Sequence, residues 1–257
     1  MMMTRRSRAS GPLKQQVLTN CTGGIVSQGS LDTLNQIYAL YDDFSNGLSM
    51  ACKRGCSMCC TENVTMTTLE GRGIIEYLSL NDQESLLSLA RGTPHSESYR
   101  PTMTTNDFAL FCLKGKEPPE EQNDYSGVAC RFLSNNECVI YDARPFGCRC
   151  FFSTQACETA PCAVVDPLLI TVNTVFLQFI EHIDTGGFFG NLNDVLALLA
   201  SGDMNNLTNN SVHLTTLPRN RTIPGLLITP ELQERMGPIL RDLKRITYRQ
   251  APASRKN

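Results

Sequence analysis

The stretch Cys52-Lys-Arg-Gly-Cys56-Ser-Met-Cys59-Cys60 puts four thiols into nine residues. It has no helical or strand periodicity and reads as a loop, so the fold is decided by what flanks it. Upstream, Leu31, Leu34, Ile37, Tyr38, Tyr41, Phe44 and Leu48 recur at steps of three and four, with Ser30 placed to cap. That spacing predicts an amphipathic helix delivering the chain to Cys52. Downstream, Thr67 followed by Glu70 forms a capping-box pattern ahead of Ile74, Ile75 and Leu78, and a third helix follows Asp82 through Leu86, Leu87 and Leu89.

A second cysteine block contains Cys130, Cys138, Cys148 and Cys150, with Cys157 and Cys162 trailing. Between the blocks the chain is polar and broken by proline, and only Phe108 to Leu113 reads as buried. Val139-Ile140-Tyr141 is the one strand-like piece of the second block. After it come a helix past Pro167 and one from Leu192 to Leu199 capped by Asn191 or Asn193. A long loop over 201–228 precedes a last helix introduced by Thr229-Pro230, which Gly237-Pro238 should kink or split. Strand signals are sparse. The fold class is mainly α, a small helical domain with irregular cysteine-rich loops. The expected organisation is a flexible basic arm at 1–28, a cysteine-cluster domain at 29–165, and a C-terminal helical region at 166–257 packed on it.

Twelve cysteines stand beside three histidines and no tryptophan in 257 residues, while 41% hydrophobic and 19% charged residues with net charge −2 are ordinary globular values. These values exclude wholesale disorder and a strongly electrostatic partner. Each end of the chain carries +4 and the middle −10. With no aromatic interleaving in the basic ends, the expectation is solvated tails rather than nucleic-acid binding. The apolar stretch Ala163 to Ile183 contains Asp166, Pro167, Asn173, Gln178 and Glu181, so it reads as a buried helix and not a membrane span.

The basic start is not followed by an apolar segment, which points to a cytoplasmic protein, where disulfides are rare and clustered thiols serve as ligands. Spacings of two and three residues let a loop wrap back so that thiolates converge on one metal centre. Gly55 can supply a positive φ for such a loop, and Lys53, Arg54 or Arg149 favour thiolate over thiol. Cys21 and Cys112, outside the blocks, are expected to be packing residues. Disulfides are the alternative for the blocks. The Cys52-x3-Cys56-x2-Cys59 spacing also matches radical S-adenosylmethionine enzymes, but the parallel strands of their barrel have no counterpart here.

Cys56-Ser-Met-Cys59-Cys60, then Ala129-Cys130-Arg-Phe-Leu133, then Glu137-Cys138-Val-Ile-Tyr141-Asp-Ala-Arg144-Pro145-Phe-Gly-Cys148-Arg149 resembles the YkgJ-type family, a CxxCxxCC domain described as chelating zinc or iron. The likeness spans about Cys52 to Phe152. Cys52 departs from the family pattern, with three residues where two are usual before the next cysteine. The resemblance implies metal binding, with Cys52, Cys56, Cys59, Cys60, Cys130, Cys138, Cys148, Cys150, Cys157 and Cys162 as candidate ligands. Adjacent Cys59 and Cys60, if extended, would point to opposite sides, so that the pair serves two centres or leaves one thiol as a donor behind the ligands. Adjacent cysteines and a surplus of thiols favour an iron–sulfur cluster of the 4Fe–4S type, with zinc as the alternative cofactor.

No nucleophile elbow, Walker loop, dinucleotide fingerprint or zinc-protease helix is present. Two functions follow as expectations. One is a redox, electron-transferring or structural centre with a protein partner on the C-terminal helices. The other is a group-transfer enzyme, similar to flagellin lysine methylases in its cysteine cluster, with Arg144 or Arg149 beside the metal for an anionic ligand.

Overall fold

The computed structural model describes residues 28–81, 83–90, 98–121, 127–159, 162–201 and 217–248. Residues 1–27 of the expected arm, with Cys21, lie outside these residues, as does most of the long loop, and Gln28, the arm's last residue, is the first of a helix. Among the described residues the chain is mainly α, in this order: α1 (Gln28–Asn46), β1 (Thr65–Thr67), α2 (Thr68–Leu80), α3 (Glu84–Ala90) and α4 (Thr105–Leu113). The second cysteine block contributes β2 (Leu133–Ser134), β3 (Glu137–Cys138) and the short α5 (Phe146–Arg149). Then follow α6 (Pro167–Ile183), β4 (Phe189–Asn191), α7 (Leu192–Ser201) and α8 (Gln233–Tyr248).

Helix α1 starts two residues before the expected cap, so Ser30 lies inside it and Leu48 beyond it, exposed. Its apolar stripe buries Leu34, Ile37, Tyr38 and Tyr41 against α6 and α8. The capping box at Thr67 and Glu70 is formed in full, and a second one, Thr104 with Asp107, starts α4. That second box sets the phase of α4 differently from its apolar run: Asn106 and Ala109 are buried, whereas Phe108 and Leu113 are exposed. Asn106 goes inside because its side chain exchanges hydrogen bonds with Gln178 and donates to the Arg221 carbonyl. Asp166 caps α6, and the Asn191 side chain accepts from the Asn193 amide at the start of α7.

Two sequence expectations are corrected. Val139-Ile140-Tyr141 is not a strand: the pairing residues are Leu133 with Cys138 and Ser134 with Glu137, and a 3-10 turn follows at Tyr141–Ala143. The turn of this hairpin is Asn135-Asn136, both at positive φ (51° and 62°), the conformation that matches the twist of a two-residue hairpin. Helix α8 is not split: it runs on through Pro238, which lies inside it, and Met236 and Leu243 stay fully buried on one face. Finally, β1 and β4 form an antiparallel pair, Met66 opposite Gly190, that joins the start of α2 to the start of α7.

Two apolar clusters result. The first joins α1, α6 and α8 with Leu69, Phe146 and Phe152. The second joins α2, α3 and α7 with Phe132 and Ile140 of the cysteine hairpin. Gly71 lets α2 and α7 approach, since a Cβ there would sit 2.7 Å from a Leu199 methyl.

Glu70 is the polar bolt between the clusters. Its carboxylate accepts from the Tyr38 hydroxyl of α1 (2.9 Å), the Thr67 amide (2.7 Å) and hydroxyl (3.0 Å), and the Phe146 amide of α5 (2.7 Å). Burial raises its pKa, against the pull of the four donors. Glu70→Ala leaves several buried donors unpaired at about 1–3 kcal/mol each, so a loss of roughly 3 kcal/mol or more is expected. Glu70→Gln, which keeps one acceptor oxygen, should cost less, and comparing urea midpoints of the two variants with the parent checks the order.

Candidate metal centre

The two cysteine blocks are stitched together by backbone. The Cys130 amide donates to the Cys60 carbonyl (2.9 Å), the Glu62 amide donates to the Val128 carbonyl (3.0 Å), and Thr61 bridges Ala129. The Leu133 amide returns to the Cys130 carbonyl (2.9 Å), and Leu133 pairs with Cys138. Cys60, Cys130 and Cys138 therefore follow one another across adjacent backbone. Cys148 is brought in by α5, whose Phe146 is fully buried, stacked on Phe176 (5.6 Å between ring centres) and edge-on to Tyr41 (4.7 Å).

Cys52, Cys56, Cys59 and Cys60 from the first block and Cys130, Cys138, Cys148 and Cys150 from the second all line one cavity of about 1200 Å³. Gly55 has the positive φ expected of it, 88°, at the tip of the first loop. The Ser57 hydroxyl donates to Asn136 (3.0 Å), laying that loop against the hairpin turn. Cys157 and Cys162 do not line the cavity; Cys157 is half-buried and Cys162 exposed. Cys112, expected to pack, is exposed on α4 because the helix turns its other face inward.

Cys59 lies in a turn rather than an extended segment, so the expected opposite projection of Cys59 and Cys60 does not occur. The Cys59 thiol instead donates to Cys60, which raises the pKa of Cys59 and lowers that of Cys60. Burial raises Cys130, Cys138, Cys148 and Cys150, the last to about 12. Cys150 also donates to the Gly147 carbonyl and, like Cys52, packs against the first apolar cluster.

Arg144 and Arg149 both line the cavity, in different states. Arg149 lies over the Tyr38 ring (4.3 Å) and donates to the Arg144 and Asp142 carbonyls and to Asp42. Arg144 lies over the Tyr141 ring (3.8 Å) with Arg54 on the same ring (5.2 Å), and its Nε has no hydrogen-bond partner among the described residues.

Residues 51–165 match the family model CxxCxxCC, described as a candidate zinc- or iron-chelating domain. The match covers somewhat less than half of the chain and takes in both blocks with Cys157 and Cys162. No curated protein and no solved structure matches the chain. No helix among the described residues is long and apolar enough to cross a membrane.

The donor set fits zinc or an iron–sulfur cluster, both of which take four thiolates. Among the described residues no three Cys, His, Asp or Glu side chains already stand close enough to hold a metal ion. Holding a metal through four of these thiols would require the loops to move inward, which turns permit more readily than helices. Since the raised thiols of Cys130, Cys138 and Cys148 hold their protons at neutral pH, uptake must release them. Zinc titration in buffers of different ionisation enthalpy is expected to show two or more protons released per ion, with affinity rising as pH rises from 6 to 8.

Proposed function

We propose that this CxxCxxCC domain holds an iron–sulfur centre of the 4Fe–4S type through Cys60, Cys130, Cys138 and Cys148, and that the centre passes electrons. The observation that supports it is that these four thiols, drawn from both blocks, line one cavity and are joined by hydrogen-bonded backbone. A tetrathiolate shell is the ligand set such clusters take. The cavity has more thiols than a single closed zinc site uses and is large for one ion.

The chain's own residues supply the rest. Phe146 and Glu70 locate Cys148, the Asn135-Asn136 turn locates Cys138, and the Arg144 and Arg54 guanidinium charges stand near the thiol of Cys138. When bound, the cluster would supply one-electron chemistry. Cys59 is exposed on the cavity and Met58 beside it is 64% exposed, which gives an edge through which electrons could pass to a protein partner. For an anionic ligand at the same cavity, Arg144 is the better placed of the two arginines, because Arg149 is held by its backbone and Asp42 contacts.

Anaerobically purified protein is expected to be brown, with broad absorption near roughly 400 nm and iron and sulfide in equal amounts. Cys138→Ser should remove most of that absorption, whereas Cys112→Ser should leave it unchanged. A colourless preparation carrying stoichiometric zinc would overturn the cluster and leave a structural zinc domain in its place.

A further inference from the structure

The segment 217–228, between α7 and α8, has no regular structure, yet polar side chains hold it along the C-terminal half of α6. Gln178 accepts from the Leu227 amide (3.0 Å) and donates to the Gly225 carbonyl (2.8 Å). Glu181 accepts from the Arg221 amide (2.8 Å), and His182 Nδ1 accepts from the Ile223 amide (3.4 Å). Leu217 packs on the second apolar cluster, and Ile223, Leu226 and Ile228 pack on the first. The segment is a strap across both clusters.

Asp184, just past the end of α6, is the junction. Its Oδ2 accepts from the Thr68 hydroxyl (2.7 Å), the Leu69 amide (2.9 Å) and the Asn220 side-chain amide (2.8 Å). The Asn220 side chain also donates to the Phe188 carbonyl (3.2 Å), and the Asn220 amide donates to the Gly187 carbonyl (3.0 Å). Gly187 leaves room for this, since a Cβ there would strike the Thr68 hydroxyl and the Asp184 carboxylate. One oxygen of a residue only 7% exposed therefore joins the first turn of α2 to the strap through three neutral donors.

The titratable and charged groups around the junction come from four elements. They are Glu70 and Arg72 of α2, Glu181 and His182 of α6, Asp107 of α4, which pairs with Arg221, and Arg219 of the strap, over the Phe188 ring (4.7 Å). Burial raises the Asp184 carboxyl to about 6, against the pull of Thr68, Leu69 and Arg72. Burial also raises Glu181 and lowers His182.

We propose that the strap is a pH-sensitive latch, held most firmly when Asp184 and Glu181 carry protons and loosened as they ionise; none of the thiols takes part. A neutral carboxylic acid still offers Asn220 an acceptor oxygen and avoids the cost of a buried charge. Because the proton affinity of Asp184 is raised by folding, its contribution is complete below the ordinary carboxyl value of about 4 and is lost as pH rises through about 6. Glu181 acts in the same direction. His182 opposes them, because its bond to Ile223 needs an unprotonated Nδ1, so its contribution is present above about 6.5 and is lost as pH falls.

The test is native-state hydrogen exchange of the full-length protein between pH 5 and 7.5, read at the Phe189, Asn220 and Arg221 amides and corrected for intrinsic exchange. In His182→Gln, which removes the opposing group, the strap is expected to open about tenfold more often at pH 7.5 than at pH 5, the change that a carboxyl moving from about 4 to about 6 on folding produces. The parent should show a smaller rise in the same direction. His182→Gln/Asp184→Asn, which keeps an acceptor oxygen at 184, should lose most of the rise. A flat or falling profile in His182→Gln, or an undiminished rise in the double variant, overturns the latch. So do strap amides that open no more often than those of Val175 and Phe176 inside α6, because the strap then moves only when the whole fold does. If either variant does not fold, carboxyl-carbon NMR of the parent decides: a midpoint near 6 for Asp184 supports the latch, and one of about 4 overturns it.

Discussion

The carboxylate of Glu70 is the constraint on which the arrangement of thiols depends. Taking a charged carboxylate out of water costs several kcal/mol, and here the cost is offset by four donated hydrogen bonds from three elements. Charge-assisted bonds of this kind are stronger than neutral ones and demand fixed geometry. Tyr38 is well suited as one donor, since burial and the neighbouring carboxylate hold its phenol protonated. The Phe146 amide is the consequential partner. It is the first residue of α5, so the bond that completes the Glu70 shell also sets where Cys148 stands relative to Cys60 and Cys130.

That dependence explains how loops with little regular structure can present thiols at all. The cysteine hairpin has only two paired positions, and the first loop has none. What holds them is a small number of buried anchors at intervals: Phe132 and Ile140 in the second cluster, Phe146 and Phe152 in the first. Between the anchors the chain is exposed or half-exposed and hydrogen-bonded mainly to itself. Such segments bury little apolar area, the driving force for ordering them is correspondingly small, and a bound metal can supply the remainder.

How much of this was legible in the sequence depended on range. The capping box at Thr67 and Glu70 was readable because its partners are three residues apart, and so was the Gly55 turn. The role of Glu70 toward Phe146 was not, because a contact over 76 positions leaves no local pattern. In α4 the apolar run misled: a run of Phe, Ala, Leu and Phe marks apolar character without phase, and the phase came from Thr104 and from Asn106 reaching α6. The hairpin was visible only as Asn-Asn between short polar pieces, and β1 with β4 was too short for any periodicity. For the thiols the spacing was readable but their neighbours in space were not. Which cysteine faces which is decided by the Cys130 to Cys60 backbone bond and by the attachment of Ser153 to Cys52, neither of which has a motif.

A thiolate-rich cavity also has to be neutralised. A divalent ion held by four thiolates is left doubly negative, so any centre here needs cations that stay charged in a partly desolvated place. Arginine meets that need better than lysine, because it does not lose its proton and its planar group stacks on aromatic rings. Arg54 and Arg144, one from each cysteine block, both lie over Tyr141, and Arg149 lies over Tyr38. The stacking positions three guanidinium groups around the thiols, and among the described residues only Arg149 of the three engages a carboxylate, at Asp42, which is half-exposed. Tyr141 thereby links the charge of the first block to that of the second, and the guanidinium groups would offset the net negative charge that a divalent ion leaves on four thiolates.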